Sequence, residues 1–461
     1  MADTSQPKGY EIEEFGLLVL PTDTSPREDL SGLSFSGDNS FDLRGLCSEF
    51  KIIQSVDSPT MRMEILIYDT VDMSRKLNGN EYVKITMKTD SSGDEELEII
   101  QKVFKIGEVT KSERAQTYIL YTTSPSTALN ETNRVFEAFV DKPGSDSVED
   151  IEKKYLKETK HKFWESASGN FNFISTSWRP YDAISYIQDK VVGSISKRPG
   201  YLYWQTRQGM SFATMDYLCS EKNPSFVNPR IFTYVQANLT DSANNAYNIE
   251  TLNYPDRANH LERMRTGLYS NVVIGILLPA LTEGHLPSNG GTETTGEKDS
   301  SPAGSINPPV NMGAKKVFDQ AKTLNSGFPF FRANDEYFSE EKPTRIKLRA
   351  LPGMKNAESA QNPEGTSANM SFDTVMCSAY AASRWQLLNA IRLDITVPGN
   401  IALDAGDIIE VRIPLSNPEG QSERLELDPV YSGKYMILGI THTWQPAGIT
   451  SRLNLSKDSI Q

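Results

Sequence analysis

Short runs in which apolar and polar residues alternate fill the first quarter of the chain. In EYVKITMKT (81–89), Val83, Ile85 and Met87 alternate with polar residues. Such a period of two predicts a strand with one buried face. Similar runs are EEFGLLVL, FKIIQSV, MRMEILIYD, KVFKIGEV and QTYILYTT. Because turn formers such as LNGN and DSSGD separate these runs, residues 1–123 are predicted to form a small antiparallel barrel or sandwich.

The spacing of apolar residues changes in the middle of the chain. DSVEDIEKKYLKETKHKFWES places Val148, Ile151 and Tyr155 on one helical face, with Ser147 as the N-cap and Asp150 at capping-box spacing. This pattern predicts an exposed amphipathic helix.

A second helix of the same kind is predicted from SWRPYDAISYIQDKVV. Pro180 lies near its start, and Ile184, Ile187 and Val191 repeat at helical spacing. GYLYWQTRQGMSFATMDYLCSE then predicts a hairpin that turns at 207–209, followed by a short helix. The apolar residues of that short helix are Met215, Leu218 and Cys219. Residues 124–270 are therefore predicted to be a mixed α+β domain.

Residues 271–374 are predicted to be a mixed segment with two long flexible loops. The stretches at 284–311 and 354–370 are rich in Gly, Ser, Pro, Thr and other polar residues, which cannot build a core. The apolar run VVIGILLPAL (272–281) is about half the ~20 residues that a membrane helix requires, so it is interpreted as a buried strand or core segment.

Strand patterns return after residue 375. NAIRLDITVPGN and AGDIIEVRIPL both alternate, and residues 431–459 predict a closing hairpin. Four residues of this hairpin are expected on one face, with Leu453 and Leu455 opposite them across the turn. The four residues are Met436, Leu438, Ile440 and Trp444. Residues 375–461 thus resemble 1–123 in pattern, which suggests a duplicated barrel.

The charge balance favours protein partners. The chain of 461 residues has 47 Lys and Arg against 60 Asp and Glu, which gives a net charge of -13 at pH 7. Such a chain lacks a global positive field that would attract nucleic acid or an anionic membrane. The first residues, MADTSQPKGYEIEE, do not have the pattern of a secretory signal, so assembly in a cytoplasm is expected.

The residues that could carry chemistry form no reactive pattern in the sequence. Cys47, Cys219 and Cys377 lie far apart, so they suggest neither a disulfide framework nor a zinc site. The four histidines form no HExxH or HxH motif, and the signatures GxSxG, GxxxxGK[ST] and GxGxxG are absent. These histidines are His161, His260, His285 and His442. We interpret His442, on a strand beside Trp444, as a packed or interface residue.

Two charged stretches leave alternatives open. The acids of SSGDEELE (91–98) are interpreted as a solvated loop, and a glycosidase pair is the less favoured alternative. The basic strand TRIKLRALPGMK (344–355) is interpreted as an exposed face, and phosphate contact is its alternative. No catalytic, cofactor-binding or metal residue is assigned, no cofactor is predicted, and the chain is predicted not to be an enzyme.

Several stretches resemble a known family. LDAGDIIEVRIPL, DPVYSGKYMILGITHTW and ITSRLNLSKD, near the end of the chain, are similar to the C-terminal end of baseplate hub proteins of contractile-tailed bacteriophages, the T-even-like central hub family. FNFISTSWRPYDAISYIQDKVVGS, GYLYWQTRQGMSFATMDYLC and HLERMRTGLYSNVVIGI resemble middle segments of those hubs. Together with the N-terminal strands, the likeness covers most of the chain in order.

The resemblance implies a fold and a role. It implies two tail-tube-like antiparallel β-barrel domains per chain, at 1–123 and 375–461, with the second completed by earlier strands. It further implies a homotrimeric ring that adapts the hexameric tail tube to the three-fold central spike in the virion baseplate. DNA would only pass through the channel. Wedge or tape-measure proteins would be further partners, and no membrane insertion is expected.

Three other functions are alternatives to the hub. A spike component of a related contractile injection system would carry a valine- and glycine-rich needle repeat, which the sequence lacks. A tail-associated cell-wall hydrolase would need an acid pair or a metal site. A receptor-binding module would lie at the tail periphery and bind glycan. The structural hub therefore remains the preferred prediction.

Overall fold

The structure is a computed structural model, and it describes most of the chain. The described residues are 10–19, 35, 40–89, 96–234, 247–255, 259–277, 310–330, 345–351, 374–415 and 426–461. Three predicted features lie outside them. These are the loop at 354–370, the part of the loop at 284–311 that runs to residue 309, and the acids at 91–95.

Strands dominate the described residues, so the prediction of a mainly β protein is confirmed. Most helices lie between residues 125 and 265, but the longest, Thr374–Leu388, lies at the start of the segment predicted as the second barrel. The strands are β1 (Tyr10–Leu18), β2 (Ser40–Asp42), β3 (Cys47–Ser55), β4 (Arg62–Asp69), β5 (Tyr82–Thr89), β6 (Glu96–Lys111), β7 (Gln116–Thr123), β8 (Val135–Phe139), β9 (His161–Trp164), β10 (Ala167–Ser168), β11 (Phe173–Trp178), β12 (Val192–Gly193), β13 (Tyr201–Thr206), β14 (Gly209–Thr214), β15 (Arg230–Thr233), β16 (Thr251–Asn253), β17 (Asn271–Leu277), β18 (Val310–Met312), β19 (Arg345–Leu351), β20 (Ile391–Pro398), β21 (Ile408–Arg412), β22 (Gly433–Gln445) and β23 (Gly448–Lys457).

The helices are short apart from one. They are α1 (Pro125–Thr132), α2 (Gly144–Ile151), α3 (Pro180–Gln188), α4 (Met215–Leu218), α5 (Pro224–Val227), α6 (His260–Arg265), α7 (Ala314–Phe318) and α8 (Thr374–Leu388), with a 3₁₀ turn at Met73–Arg75 and a π-helical turn at Glu152–Leu156.

The N-terminal strands form one antiparallel run in the order β3-β4-β7-β6-β5-β1-β2. Their alternating apolar residues point to one shared core, and Val83, Ile85 and Met87 are all buried as predicted. β6 is long enough to pair with two strands: its first half pairs with β5 and its second half pairs with β7. Breaks in the β6–β7 register at 103–105 and 107–110 mark the irregular stretches of this strand.

The helix predicted from Ser147 begins earlier, at Gly144. Ser147 is buried inside the helix, and its hydroxyl donates to the Pro143 carbonyl, so the predicted N-cap was wrong. A Cβ at Gly144 would lie 2.5 Å from Val191, so a glycine permits the close approach of the two segments. The second helix begins at Pro180 as predicted, and the hairpin β13–β14 followed by α4 is confirmed.

The C-terminal strands follow the order β21-β22-β23-β20-β16, and β15 pairs in parallel with β21. The predicted hairpin is present, but its four named residues do not share one face. A bulge between Ile437 and Gly439 shifts the register, so Met436 and Ile437 are both buried while Leu438 is half-exposed. Ile437 then faces Leu455, and Ile440 faces Leu453.

The two strand-rich ends of the chain form one sheet. β22 pairs antiparallel with β3, from Gly439 opposite Ser55 to Trp444 opposite Phe50, and the result is a 13-stranded sheet. The rings of Phe50 and Trp444 stack with centroids 5.2 Å apart. Within the described ranges no strand pairing closes this sheet, so the two separate barrels remain a prediction.

A smaller sheet lies beside the C-terminal strands. β17 pairs antiparallel with β18 and parallel with β19, and Val273 packs in a core with residues of α7 and α8. The apolar run at 272–281 is thus a strand from 271 to 277, but Val272, Ile274 and Ile276 are only half-buried.

We expect Trp444→Ala to lower the free energy of unfolding by about 3 to 5 kcal/mol, because it removes a buried ring at the β3–β22 contact. A urea titration followed by circular dichroism measures this change. Phe104→Ala is the matched control, since that ring is 55% exposed, and we expect it to change stability by roughly 0.5 kcal/mol or less. Equal losses in the two variants would contradict a special role for Trp444.

Candidate functional site

A buried polar cluster lies where the N-terminal strands, the middle segment and the C-terminal strands meet. Lys162, which follows the first residue of β9, places its Nζ 3.0 Å from Asp404 Oδ2 and 2.9 Å from both carboxylate oxygens of Asp407. Arg207 Nε lies 3.4 Å from the same Asp404 oxygen. The Asp404 side chain is fully buried, so its charge is stabilised by these cations and not by water.

Gln54, on β3, links this cluster to the N-terminal strands by hydrogen bonds. Its Nε2 donates to Asp404 Oδ1 at 3.1 Å, and its Oε1 accepts from the Ala405 amide at 3.2 Å. Trp204 Nε1 donates to the Ala405 carbonyl at 2.9 Å. Gly406 has φ of +93°, and a Cβ there would lie 2.7 Å from the Trp204 ring, so only glycine fits. Three distant parts of the sequence are thereby joined at one loop.

The electrostatics of the cluster follow from burial. Burial raises the pKa of the Asp407 carboxyl, and the neighbouring Lys162 ammonium opposes that shift. His442 lies on β22 with its Nδ1 2.8 Å from Ser451 Oγ. Burial lowers the pKa of His442 to about 4, although Asp404 opposes this shift. A neutral, packed imidazole agrees with our interpretation of His442 as a packed residue.

A second buried ion cluster holds α8 against the end of the chain. Arg384 is fully buried, with Nη2 2.8 Å from Asp458 Oδ2 and Nε 3.4 Å from Asp216 Oδ1. The Tyr380 hydroxyl donates to Asp216 Oδ2 at 2.9 Å. The carboxylates also accept backbone amides, from Lys322 to Asp216 and from Leu324 to Asp458. These bonds fix α8, the loop after α7 and the last strand relative to one another.

His161 is paired with a buried acid. Its Nε2 lies 2.7 Å from Glu152 Oε2, and its ring stacks on Trp164 at 4.0 Å. Glu152 is fully buried in the π-helical turn, and burial raises the pKa of this carboxyl. Because the carboxylate is closed off from solvent, the pair holds the turn against β9. Sequence reasoning did not find this pair, since neither residue belongs to a spaced motif.

The remaining residues considered for chemistry lie apart. His260 contacts the Tyr269 hydroxyl at 2.9 Å, while His285 lies outside the described residues. All three cysteines are buried thiols, and burial raises the pKa of Cys47 to about 12, which keeps it unreactive.

The part of the chain that the structure describes holds no group of three or more His, Cys, Asp or Glu side chains suited to a metal ion. In the same residues, no helix combines the length and the apolar character needed to cross a bilayer.

The basic strand predicted at 344–355 is β19 over Arg345–Leu351. Arg349 Nη2 lies 3.0 Å from Asp189 Oδ2, and Arg345 donates to the Thr266 carbonyl. Two of its basic residues therefore bind within the chain. Ile346 and Leu348 alternate with them and are 62% and 63% exposed, so the exposed side of β19 is apolar.

A second exposed apolar face lies on the β8–β11 pair. Phe136, Val140 and Ile174 are 74%, 56% and 66% exposed, and Ala138 opposite Ile174 is exposed as well. The opposite face packs Val135, Phe139 and Phe173 into a core. Sequence reasoning missed this surface, although VFEAFV (135–140) is apolar at five of its six positions, which is unusual for a strand with one solvated face. Exposed apolar patches of this kind mark contact surfaces.

We expect Lys162→Met to lower the free energy of unfolding by about 3 to 5 kcal/mol, because it leaves Asp404 and Asp407 together in a buried site. The loss should be larger at pH 8 than at pH 5, since protonation of a carboxylate relieves the repulsion. Denaturant titrations at both values measure it. Lys153→Met is the control because its ion pair with Glu149 is exposed, and we expect no measurable change in the free energy of unfolding for it. A loss of unfolding free energy that is the same at both pH values would contradict the role of Lys162 as the cation that keeps Asp404 and Asp407 together.

We expect His442 to make the fold less stable in acid. The unfolded chain binds a proton at this imidazole near pH 6.5, whereas the folded chain does so only at about pH 4, so this residue alone lowers the free energy of unfolding as pH falls from 6.5 to 4, by up to about 3 kcal/mol. His442→Asn should remove this slope, and above pH 7 the two proteins should differ by a constant amount. Unfolding titrations between pH 4 and 8 measure both; parallel curves throughout would refute the expectation.

The fold as a whole is similar to that of solved tail proteins. The tail protein from Neisseria meningitidis MC58 matches with a TM-score of 0.51 at 10% sequence identity, over 98% of this chain and 98% of that chain. The 43 kDa tail protein of prophage MuSo2 from Shewanella oneidensis has a TM-score of 0.49 at 9% identity, over 97% of this chain and 99% of that chain. No protein-family model matches the sequence, and no curated protein does. The likeness to the Neisseria protein shows that this chain has a tail-protein fold.

Proposed function

We propose that this chain is the structural hub of a phage tail baseplate. It forms a trimeric ring that adapts the hexameric tail tube to the three-fold central spike and surrounds the channel through which DNA passes. The observation that carries the proposal is the fold likeness to the Neisseria tail protein over 98% of both chains. The protein then acts in the virion tail, after assembly in the host cytoplasm, and it is not an enzyme.

The proposed domains are 1–123 and 375–461 as tube-like units, 124–270 as the α+β middle and 271–374 as a mixed segment. Hydrogen bonds around the second unit support a barrel completed by earlier strands. Thr233 on β15 donates to the Tyr247 carbonyl and accepts from the Ile249 amide, and the Glu250 amide donates to Thr396 on β20. Residues 247–253 thus contact both β15 and β20, the two outer sides of the run β15-β21-β22-β23-β20.

Two similar units per chain fit the symmetry of the proposed ring. Three chains with two tube-like units each offer six equivalent surfaces, so a trimer presents a hexameric face to the tube. The β3–β22 pairing supports this arrangement, because it fixes the two units of one chain at a constant spacing.

The surface also supports an assembly role. The β8–β11 face and the exposed side of β19 are apolar, as expected where the chain contacts further copies, tube, spike, wedge or tape-measure proteins. The net charge of -13 suits a channel that repels the phosphate backbone of passing DNA.

The same fold suits a spike or hub component of a related contractile injection system, which is the second candidate. A tail-associated cell-wall hydrolase is the third, and the buried positions of Glu152 and Asp404 and the 13% exposure of the Asp407 side chain disfavour it. A peptidoglycan zymogram separates the third from the others. Clearing that is lost on changing one Asp or Glu would overturn the structural proposal.

We expect the purified protein to have a solution mass of three times 51.4 kDa, alone or once its spike protein is added, as measured by light scattering. The added spike should enter as a trimer, and electron microscopy of the complex should show the chain on the tail axis. A persistent monomer that binds neither spike nor tube would refute the proposed ring.

A further inference from the structure

A small cavity lies where α6, the end of α8 and the start of β20 meet. Its volume is about 50 Å³, several times the ~10 to 15 Å³ that holds one water molecule. β16 pairs only with residues 394–396 of β20, so Arg392 lies beyond the end of β16 and lines the cavity. Arg263, from α6, lines it from the other side.

Neither arginine is neutralised by a carboxylate within the residues described. Arg263 donates from Nη2 to the Ala390 carbonyl at 2.7 Å and lies 5.4 Å from the Phe330 ring. Arg392 forms no ion pair with the described residues, and it is exposed. Two guanidinium groups without a carboxylate partner among the described residues are notable at one cavity in a chain with a net charge of -13.

The other lining residues do not supply the missing negative charge. Glu262 is one carboxylate at the cavity, and its Oε2 accepts from Asn259 Nδ2 at 2.6 Å. The carbonyl groups at the end of α8 are occupied, since Trp385 accepts from Asn389 and Leu388 accepts from Ser456 Oγ. With two arginines and one glutamate, the cavity keeps a net single positive charge.

The lining also includes the polar residues Gln386, Asn389 and Thr266 and the apolar residues Leu268 and Ala390. The Thr266 hydroxyl donates to the Arg263 carbonyl, and Asn389 Nδ2 donates to the Trp385 carbonyl, so the arginines and Gln386 supply most of the available donors. Guanidinium and amide N–H groups together form a donor-rich surface, and a planar guanidinium matches the two oxygens of a carboxylate. A monoanion balances the single net charge, whereas a phosphate dianion would exceed it.

We infer that this cavity binds a single carboxylate group, carried either by an acidic side chain of a protein partner or by a small free carboxylic acid. The inference rests on two arginines that have no carboxylate partner among the described residues and on the N–H donors at the cavity, and it is independent of the proposed baseplate function.

The first test is thermal unfolding in sodium acetate and in sodium chloride at equal ionic strength. We expect acetate to raise the melting temperature of the native protein by about 1 to 2 °C relative to chloride. Arg392→Gln should lose this shift. Arg62→Gln is the matched control and should keep it, because Arg62 is also an exposed strand arginine without an ion pair to a described residue.

A second variant supplies the carboxylate internally. Gln386→Glu places an acid in the cavity, so it should raise the melting temperature and abolish the further shift by acetate. An acid near a helix C-terminus is otherwise unfavourable, so a gain in stability is specific to the cavity. A loss of stability together with an intact acetate shift would overturn the inference.

The source of the carboxylate follows from a third probe, glutamate capped as N-acetyl and N-methylamide. A shift at least as large as that of acetate assigns the cavity to an acidic side chain, and a smaller shift assigns it to a free acid. Equal shifts in chloride and acetate would overturn the inference. A larger melting-temperature shift in inorganic phosphate than in acetate would also overturn it. The same holds if Arg392→Gln and Arg62→Gln lose the acetate shift to the same extent.

Discussion

The pairing of β22 with β3 is the constraint on which the rest of the structure depends. It joins the first and the last strand-rich segments in one sheet, and each segment contributes to the core of the other. Trp444 packs in the core of the N-terminal strands, and Val56 packs in the core of the C-terminal strands. The cluster of Gln54, Lys162 and Asp404 beneath the pairing adds buried charges that tolerate little displacement, because an unpaired charge in this place is costly.

Polar clusters and apolar cores have different structural roles in this fold. Alternating apolar residues build each core without choosing one partner strand over another, since hydrophobic contact is not directional. The ion clusters around Asp404 and Arg384 are directional, and each connects segments that are distant in the sequence. They therefore position the middle segment and α8 against the sheet, and the exposed apolar faces of β8–β11 and β19 keep fixed positions on the surface.

Local patterns were sufficient to predict most of the strands and the helix that begins at Pro180, because alternation and proline act over a few residues. They could not predict the bulge at Leu438 or the helix start at Gly144, since both depend on what packs against them. The β3–β22 pairing and the Glu152–His161 pair were not predicted either, because no short motif indicates contacts between distant strands or across a turn. The exposed face with Phe136 could have been predicted, since five of the six residues of VFEAFV are apolar.

The long separation between β3 and β22 has a consequence for synthesis. Gln54 on β3 and its partner Ile440 on β22 are 386 residues apart, and a ribosome that adds ~5 to 20 residues per second needs roughly 20 to 80 s to make that length. During this interval the N-terminal strands have emerged while the partner of β3 does not yet exist. The edge of β3 is then open to pairing with other chains, as unpaired strand edges are. A chaperone that covers this edge, or slow growth that keeps nascent chains dilute, would therefore affect the yield of folded protein more than its final stability.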